Sequence, residues 1–96
     1  MNHYAAPGFW DHYQGLPAAI RKLADRSFGQ LTSNSRHPSL HLKQIGKYWS
    51  VRVGIHYRAV GVGVSDGISW FWIGEHPEYD QLFRNRLREE EHPDYA

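Results

Sequence analysis

The chain contains no cysteine. This absence excludes a disulfide framework, a cysteine-ligated zinc site and a thiol nucleophile, and it suits a reducing cytoplasm. No apolar run approaches the roughly 20 residues of a membrane-spanning helix, and the residues after Met1 lack the charged start and apolar run of a signal peptide. We therefore expect a cytoplasmic protein that contacts no membrane and has no metal or other cofactor.

Acidic residues are missing from the middle of the chain. No Asp or Glu occurs between Asp25 and Asp66, a segment that contains Arg26, Arg36, Lys43, Lys47, Arg52 and Arg58. Four of the ten acidic residues follow Arg88, so residues 1–88 carry eleven basic and six acidic groups, a net charge of +5. This basic body favours a polyanion or an acidic protein partner, although ordinary solvated surface charge would give the same run.

The apolar pattern of the first third is helical. Ninety-six residues fit a single domain, 1–96. Pro17 suits a first helical position, and the residues after it follow the spacing of one helix face, which predicts a helix over 17–32. A second helix is predicted after Pro77, and residues 1–8 and 89–96 are expected to be flexible.

The middle of the chain changes to the alternating pattern of strands. Strands are predicted over residues 40–43, 48–53, 57–64 and 68–73, with turns at Gly46-Lys47 and Ser65-Asp66-Gly67. The third strand contains Gly61 and Gly63, which are typical of a bulge or of close packing. The sequence therefore predicts an α+β fold in which N-terminal helices and a C-terminal helix pack on a small antiparallel β-meander.

Basic and titratable side chains on these strands form the candidate site. A charge on the core face would be expensive to desolvate, so arginines at strand centres should line an exposed face. Guanidinium groups bind phosphate bidentately, and histidine and tyrosine transfer protons or stack on bases. The candidates are Lys43, Lys47, Arg52, His56, Arg58, His76 and Tyr79. The alternative is that the arginines are solvated strand residues and that His76 merely caps a helix.

Other chemistries have little support. His37 and His41 are four residues apart but lie on a loop and a strand without a nearby carboxylate, so a zinc site is not expected. No serine lies in a nucleophile-elbow pattern, and the glycine pair of the third strand lacks the rest of a dinucleotide fingerprint.

Four strings in order resemble the RelE/ParE superfamily of type II toxins, specifically a branch with a shortened first strand. The strings are Phe9-Trp10-x-x-Tyr13-x-x-Leu16-Pro17, His37-Pro38-Ser39-Leu40-His41-Leu42-Lys43, Trp49-Ser50-Val51-Arg52-Val53-Gly54 with His56-Tyr57-Arg58-Ala59, and Trp72-Ile73-Gly74-Glu75-His76-x-Glu78-Tyr79-Asp80. The resemblance covers residues 9–83. The first strand of the family is hardly visible in residues 1–8.

This resemblance implies a toxin that is neutralised by a cognate antitoxin. RelE-like members cut mRNA in the ribosomal A site without a metal, and ParE-like members inhibit DNA gyrase instead. On the nuclease reading, Arg52, Arg58, His76 and Tyr79 would be catalytic, and Lys43, Lys47 and His56 would contact RNA. A gyrase inhibitor without enzyme activity and a non-toxic nucleic-acid-binding module are the alternatives.

Overall fold

The structure is a computed structural model that describes the backbone of residues 1–91 and the side chains of residues 1–86. The helices are α1 (Pro7–Gln14), α2 (Ala18–Ser33) and α3 (His76–Glu91), and a short 3-10 turn spans Pro38–Leu40. The strands are β1 (Asn2–Ala5), β2 (Lys43–Ile45), β3 (Tyr48–Val53), β4 (Tyr57–Val64) and β5 (Gly67–Glu75). The predicted α+β class is confirmed.

The five strands form one mixed sheet in the order β1-β5-β4-β3-β2. Strands β2 to β5 are the predicted antiparallel meander, whereas β1 pairs with β5 in parallel. The observed bounds of α2, β3 and β4 agree with the predicted spans 17–32, 48–53 and 57–64.

Strand β1 corrects the expectation that residues 1–8 are a flexible segment. It is held to the far end of the meander by side chains as well as by the backbone. The Tyr4 hydroxyl donates to Asp66 at 2.6 Å, the Asn2 side-chain amide donates to the same carboxylate at 3.0 Å, and the indole N–H of Trp70 donates to Nδ1 of His3 at 3.1 Å. These partners lie more than 60 residues away in the chain, so no local pattern could show them.

The start of β2 also differs from its prediction. The alternation over residues 40–43 predicted a strand, but the chain forms the 3-10 turn Pro38–Leu40, and His41 follows with a φ of 45°. A left-handed residue cannot continue a strand, so β2 begins only at Lys43.

The main core lies between the sheet and the helices α1 and α2. Val51 and Val53 of β3 face it, as the alternation predicted, and the half-buried Trp49 packs against it. Its other fully buried members include Phe9, Leu31, Leu40, Ile68 and Trp70.

A second core on the opposite face corrects the expectation of an open sheet surface. Tyr79 and Phe83 of α3 pack on Tyr48, Val60 and Trp72, and all five residues are buried. The apolar residues of α3 recur with the period of a helix, so they form one side of α3, and that side packs on the sheet. Strand β5 is almost entirely apolar because it serves both cores.

Helix α3 continues to Glu91, so residues 89–91 are helical rather than part of a flexible tail. Residues 92–96, for which the same flexibility was predicted, lie outside the described residues. Within the described part of the chain, no helix combines the length and apolar character needed to cross a bilayer.

Candidate functional site

Arg58 is the centre of a group of polar side chains on the face that α3 covers. It is half-buried near the start of β4, and its Nη1 donates a hydrogen bond to the hydroxyl of Ser50 at 3.0 Å. Ser50 has no exposed surface, so this hydrogen bond satisfies a hydroxyl that water cannot reach. The guanidinium carbon lies 5.2 Å from the centre of the Tyr79 ring, in range for a cation–π contact.

Tyr79 joins Arg58 to two further predicted site residues. The Lys43 ammonium lies 6.0 Å from the Tyr79 ring centre, and the His76 ring lies 5.7 Å from it at an angle of 52°. Lys43, Arg58, His76 and Tyr79 therefore form one group, the basic cluster, built from β2, β4 and the first turn of α3. Tyr79 is only 5% exposed, so the aromatic ring that Lys43 and Arg58 approach is largely buried.

His76 begins α3 and is about half exposed. Its backbone N–H donates to the carbonyl of His56 at 2.8 Å, and its Nδ1 lies 3.2 Å from a carboxylate oxygen of Asp80, one helical turn later. A carboxylate at Nδ1 orients the ring and leaves Nε2 free to exchange a proton with a ligand. His56 contributes its backbone carbonyl to this arrangement, and its side chain is exposed in the turn between β3 and β4.

Arg52 lies opposite Arg58 in the strand register, but its side chain makes different contacts. Its Nε donates to the carbonyl of Gly54 at 3.1 Å, and its Nη1 lies 3.4 Å from Nε2 of His41. The structure thus brings the two backbones together and gives the two guanidinium groups separate partners.

Lys47 and Arg86 extend the positive charge along the same covered face. The Lys47 ammonium lies 5.4 Å from the Tyr48 ring centre, and the Arg86 guanidinium lies 5.7 Å from that ring and 4.8 Å from the ring of Phe71. Phe83 joins Tyr48 to Tyr79, at 5.7 and 4.9 Å between ring centres. A continuous line of aromatic rings therefore connects these cations to the basic cluster.

An acidic cleft lies next to the junction between β5 and α3. Asp11, Glu75 and Glu78 line a cavity of about 290 Å³ together with Tyr57. Burial raises the pKa of Tyr57, and the neighbouring Glu75 carboxylate raises it further. Tyr57 therefore stays protonated and donates to Glu75, at 3.4 Å. Among the described residues, no group of three or more His, Cys, Asp or Glu side chains is arranged to hold a metal ion.

No family model and no curated protein matches the chain. Solved structures do match. A chain of a RelB–RelE antitoxin–toxin complex from Methanococcus jannaschii superposes with a TM-score of 0.66 and 24% identity over 83% of this chain and 98% of that chain. The chain has the RelE/ParE fold. A YoeB/ParE toxin from Agrobacterium tumefaciens gives a TM-score of 0.60 and 16% identity, and covers 79% of this chain and 99% of its own.

The isolated RelE toxin from E. coli has the same fold at only 10% identity, with a TM-score of 0.57 over 85% of this chain and 95% of that chain. The resemblance found in the sequence is therefore confirmed at the level of the RelE/ParE fold.

Three residues of the site in this RelE/ParE fold were not predicted from the sequence. Ser50 shares the strand face of Tyr48 and Arg52, and that alternation was the available signal for its role as the partner of Arg58. Asp80 follows His76 by four residues, the spacing of paired side chains on a helix. Arg86 follows Tyr79 by seven residues, which places it on the same helix face.

Proposed function

We propose that this chain is the toxin of a type II toxin–antitoxin pair and that it cleaves mRNA on the ribosome without a metal. The observation that carries the proposal is the basic cluster, in which Lys43, Arg58 and His76 surround Tyr79 on a RelE/ParE fold. Phosphate clamps and a proton-transfer group on one surface are what RNA cleavage by the ribose 2′-hydroxyl requires.

In this reaction the ribose 2′-oxygen bonds to the adjacent phosphorus, and the bond from phosphorus to the next 5′-oxygen breaks. A base takes the 2′-hydroxyl proton, and an acid returns a proton to the leaving 5′-oxygen, which gives a cyclic phosphate and a 5′-hydroxyl. Arg58 would stabilise the charge that builds on the phosphate oxygens, because its guanidinium is fixed by Ser50 and Tyr79. Lys43 would contact a flanking phosphate.

His76 is the group best placed for proton transfer, because its ring is about half exposed and Asp80 orients it. Tyr79 would hold the Arg58 guanidinium. Its predicted use as a proton donor or base-stacking surface requires the first turn of α3 to move, since only 5% of the residue is exposed. The Arg52 side chain binds Gly54 and His41 rather than the partners of Arg58. The predicted catalytic role of Arg52 and the predicted RNA contacts of Lys47 and His56 stay predictions.

The partner would be a cognate antitoxin, as in the RelB–RelE complex that shares this fold. An acidic antitoxin segment that covers the basic cluster would neutralise the positive charge and block access of RNA.

The first experiment expresses the chain without an antitoxin and maps new RNA 5′ ends on translated messages, with plasmid supercoiling scored in the same cells. We expect cleavage within codons, reduced at least about 100-fold by Arg58→Ala because a preorganised charge on the transition state is lost. Arg84→Ala is the matched control, since Arg84 is exposed on α3, and it should cleave like the wild type.

Loss of Arg58 leaves the buried Ser50 hydroxyl without its partner and costs about 1–3 kcal/mol of stability. Arg58→Lys keeps the charge but not the bidentate geometry, and circular dichroism of both variants separates unfolding from lost chemistry. Cleavage by a folded Arg58→Ala at the wild-type rate would show that Arg58 is not the phosphate clamp.

A second candidate is inhibition of DNA gyrase without enzyme activity. It is favoured by the separate contacts of Arg52 and Arg58 and by the burial of Tyr79, which both depart from an open nuclease surface. Relaxed plasmids with intact messages in the same cells would support this candidate. Harmless expression with neither effect would leave a non-toxic binding module.

A further inference from the structure

A cavity of about 420 Å³ lies on the opposite face of the sheet from the basic cluster. Its walls come from the loop that follows α2, the 3-10 turn, the residues before β2, and β3, and Met1 closes one side. The lining residues are Met1, Ser35, Arg36, His37, Pro38, His41, Leu42 and Trp49. Trp49 packs against the main core, whereas Tyr79 belongs to the second core, so the two sites do not share a surface. The volume is in the usual range of small-molecule sites, about 300–1,000 Å³.

The cavity is positive, and none of the described residues that line it has a carboxylate. Arg36, His37 and His41 line the cavity. Arg52, which is not one of the lining residues, contacts His41. Every lining residue except Met1 belongs to the acid-free segment between Asp25 and Asp66. A cavity whose charged lining residues are basic attracts an anion.

Both histidines present a hydrogen-bond donor even when they are uncharged. The backbone N–H of Ser39 donates to Nδ1 of His37 at 3.2 Å, so a neutral His37 carries its proton on Nε2. Arginine only donates, so the contact from Arg52 makes Nε2 of His41 the acceptor and leaves the proton on Nδ1. One N–H on each ring therefore remains to bind an acceptor such as phosphate.

The other wall is aromatic and apolar. Trp49 is half-buried, and its indole lies over β4 at Gly63, where an added Cβ would stand 3.5 Å from the indole nitrogen. Leu42 and Pro38 complete this wall. A flat aromatic ring beside basic donors is the arrangement that proteins use to stack a base and hold its phosphate.

We infer that this cavity binds a nucleotide, with its phosphate on Arg36, His37 and His41 and its base against Trp49. The ligand chemistry is a phosphate joined to a nucleobase, either a free mononucleotide or one unit of an RNA strand. This inference does not depend on the proposed cleavage activity, because none of its residues belongs to the basic cluster.

The test titrates the purified chain with 5′-AMP, adenosine, inorganic phosphate and a single-stranded RNA hexamer. The readouts are the indole N–H resonance of Trp49 in NMR spectra and the affinity from calorimetry. We expect 5′-AMP to shift that resonance, with adenosine and phosphate alone each at least about tenfold weaker, because each lacks one half of the recognition. A hexamer that binds more tightly than 5′-AMP identifies an RNA strand as the ligand, and equal or weaker binding identifies the free nucleotide.

Arg36→Gln is the decisive variant, because Arg36 is exposed and its loss leaves the core intact. It should weaken 5′-AMP binding at least about tenfold, in line with a lost charge-assisted contact. Arg26→Gln is the matched control, since Arg26 is an exposed arginine of α2 that does not line the cavity. The inference is wrong if neither 5′-AMP nor the hexamer shifts the Trp49 resonance at about 5 mM, or if Arg36→Gln binds like the wild type. Arg58→Ala leaves this cavity unchanged, so a failed cleavage experiment and a failed binding experiment are separate results.

Discussion

His3 is a titratable side chain at a structural position. Its Nδ1 accepts the indole N–H of Trp70, a residue that is 1% exposed at the centre of the main core. Burial lowers the pKa of His3. The neutral ring is therefore the form that fits between β1 and β5, and a protonated ring would present a donor to another donor.

The stability of the chain should fall as His3 becomes protonated. The folded pKa is lowered, so the full stability is present above the unfolded value of 6.5, and it declines as the pH falls below that value. His3→Gln keeps an acceptor for Trp70 and does not titrate in this range. We expect thermal unfolding between about pH 7.5 and 5 to show a smaller loss of stability for His3→Gln than for the wild type.

Protonation of Asp66 does not contribute to the pH dependence of stability that is assigned to His3. Hydrogen bonds from Tyr4, and then from Asn2, lower the pKa of Asp66 below its usual value of 3.8, so its contribution is lost only in much stronger acid. If the stability of the wild type and of His3→Gln fell equally with pH, β1 would tolerate a charged His3.

The residue types of the site were predictable from the sequence, whereas the contacts were not. Arg58, His76 and Tyr79 stood out as a cation, a proton-transfer group and an aromatic ring, and the structure does bring them together. The separate path of the Arg52 side chain depends on His41 and on the turn carbonyl of Gly54. Those partners are fixed by a left-handed His41 and by a Gly54 φ of +62°, which strand alternation does not reveal.

Among the elements, β4 contains a glycine, Gly61, at a position where a larger residue would not fit. The pairing of β4 with β5 shifts between Val60 and Gly61, and β5 passes close to the backbone at this point. A Cβ at Gly61 would lie 2.6 Å from Cγ2 of Ile68 and 2.9 Å from the carbonyl oxygen of Ser69. One of these atoms must move for any larger residue, and the carbonyl belongs to the backbone.

Gly61→Ala should therefore lower the free energy of unfolding by about 1–3 kcal/mol, the usual cost of overpacking. Gly63→Ala is the matched control in the same strand, because its Cβ would meet its nearest neighbour at an ordinary 3.5 Å. Urea denaturation of the two variants gives the comparison. Equal stabilities would show that β5 shifts at no cost and that the bulge does not depend on glycine.

Elements with a strong local pattern were predictable, and the remaining ones depend on distant contacts. Strands β3 and β4 are six and eight residues long and are flanked by turn residues, which is enough to give their bounds. Strand β1 has only four residues and gains its partner from β5, and the open face predicted for the sheet is closed by α3.

At the scale of the whole molecule, charge is separated along the chain. The body is basic, whereas Glu89, Glu90 and Glu91 form the last residues of α3. Acidic residues at the C-terminal end of a helix oppose its dipole, so they contribute little to helix stability.

A chain ending at Arg88 should bind single-stranded RNA more tightly than the full chain, because it loses four negative charges and no basic one. We expect a gain of about 3- to 10-fold at roughly 50 mM salt that shrinks at roughly 300 mM, where screening is stronger. Fluorescence anisotropy with a labelled oligomer measures it. Replacement of the three glutamates by glutamine keeps the chain length and is the control, and unchanged affinity in both variants would mean that the acidic end lies outside the field of the RNA surface.

The parallel pairing of β1 with β5 sets an order of events during protein synthesis. Asn2 pairs with Gly67, so β1 has no partner until β5 has been made. His76 and Tyr79 are made later still, after Lys43 and Arg58. A chain released before α3 is made therefore carries the cations without the helix that completes the cluster, so the site can assemble only after α3 has been made.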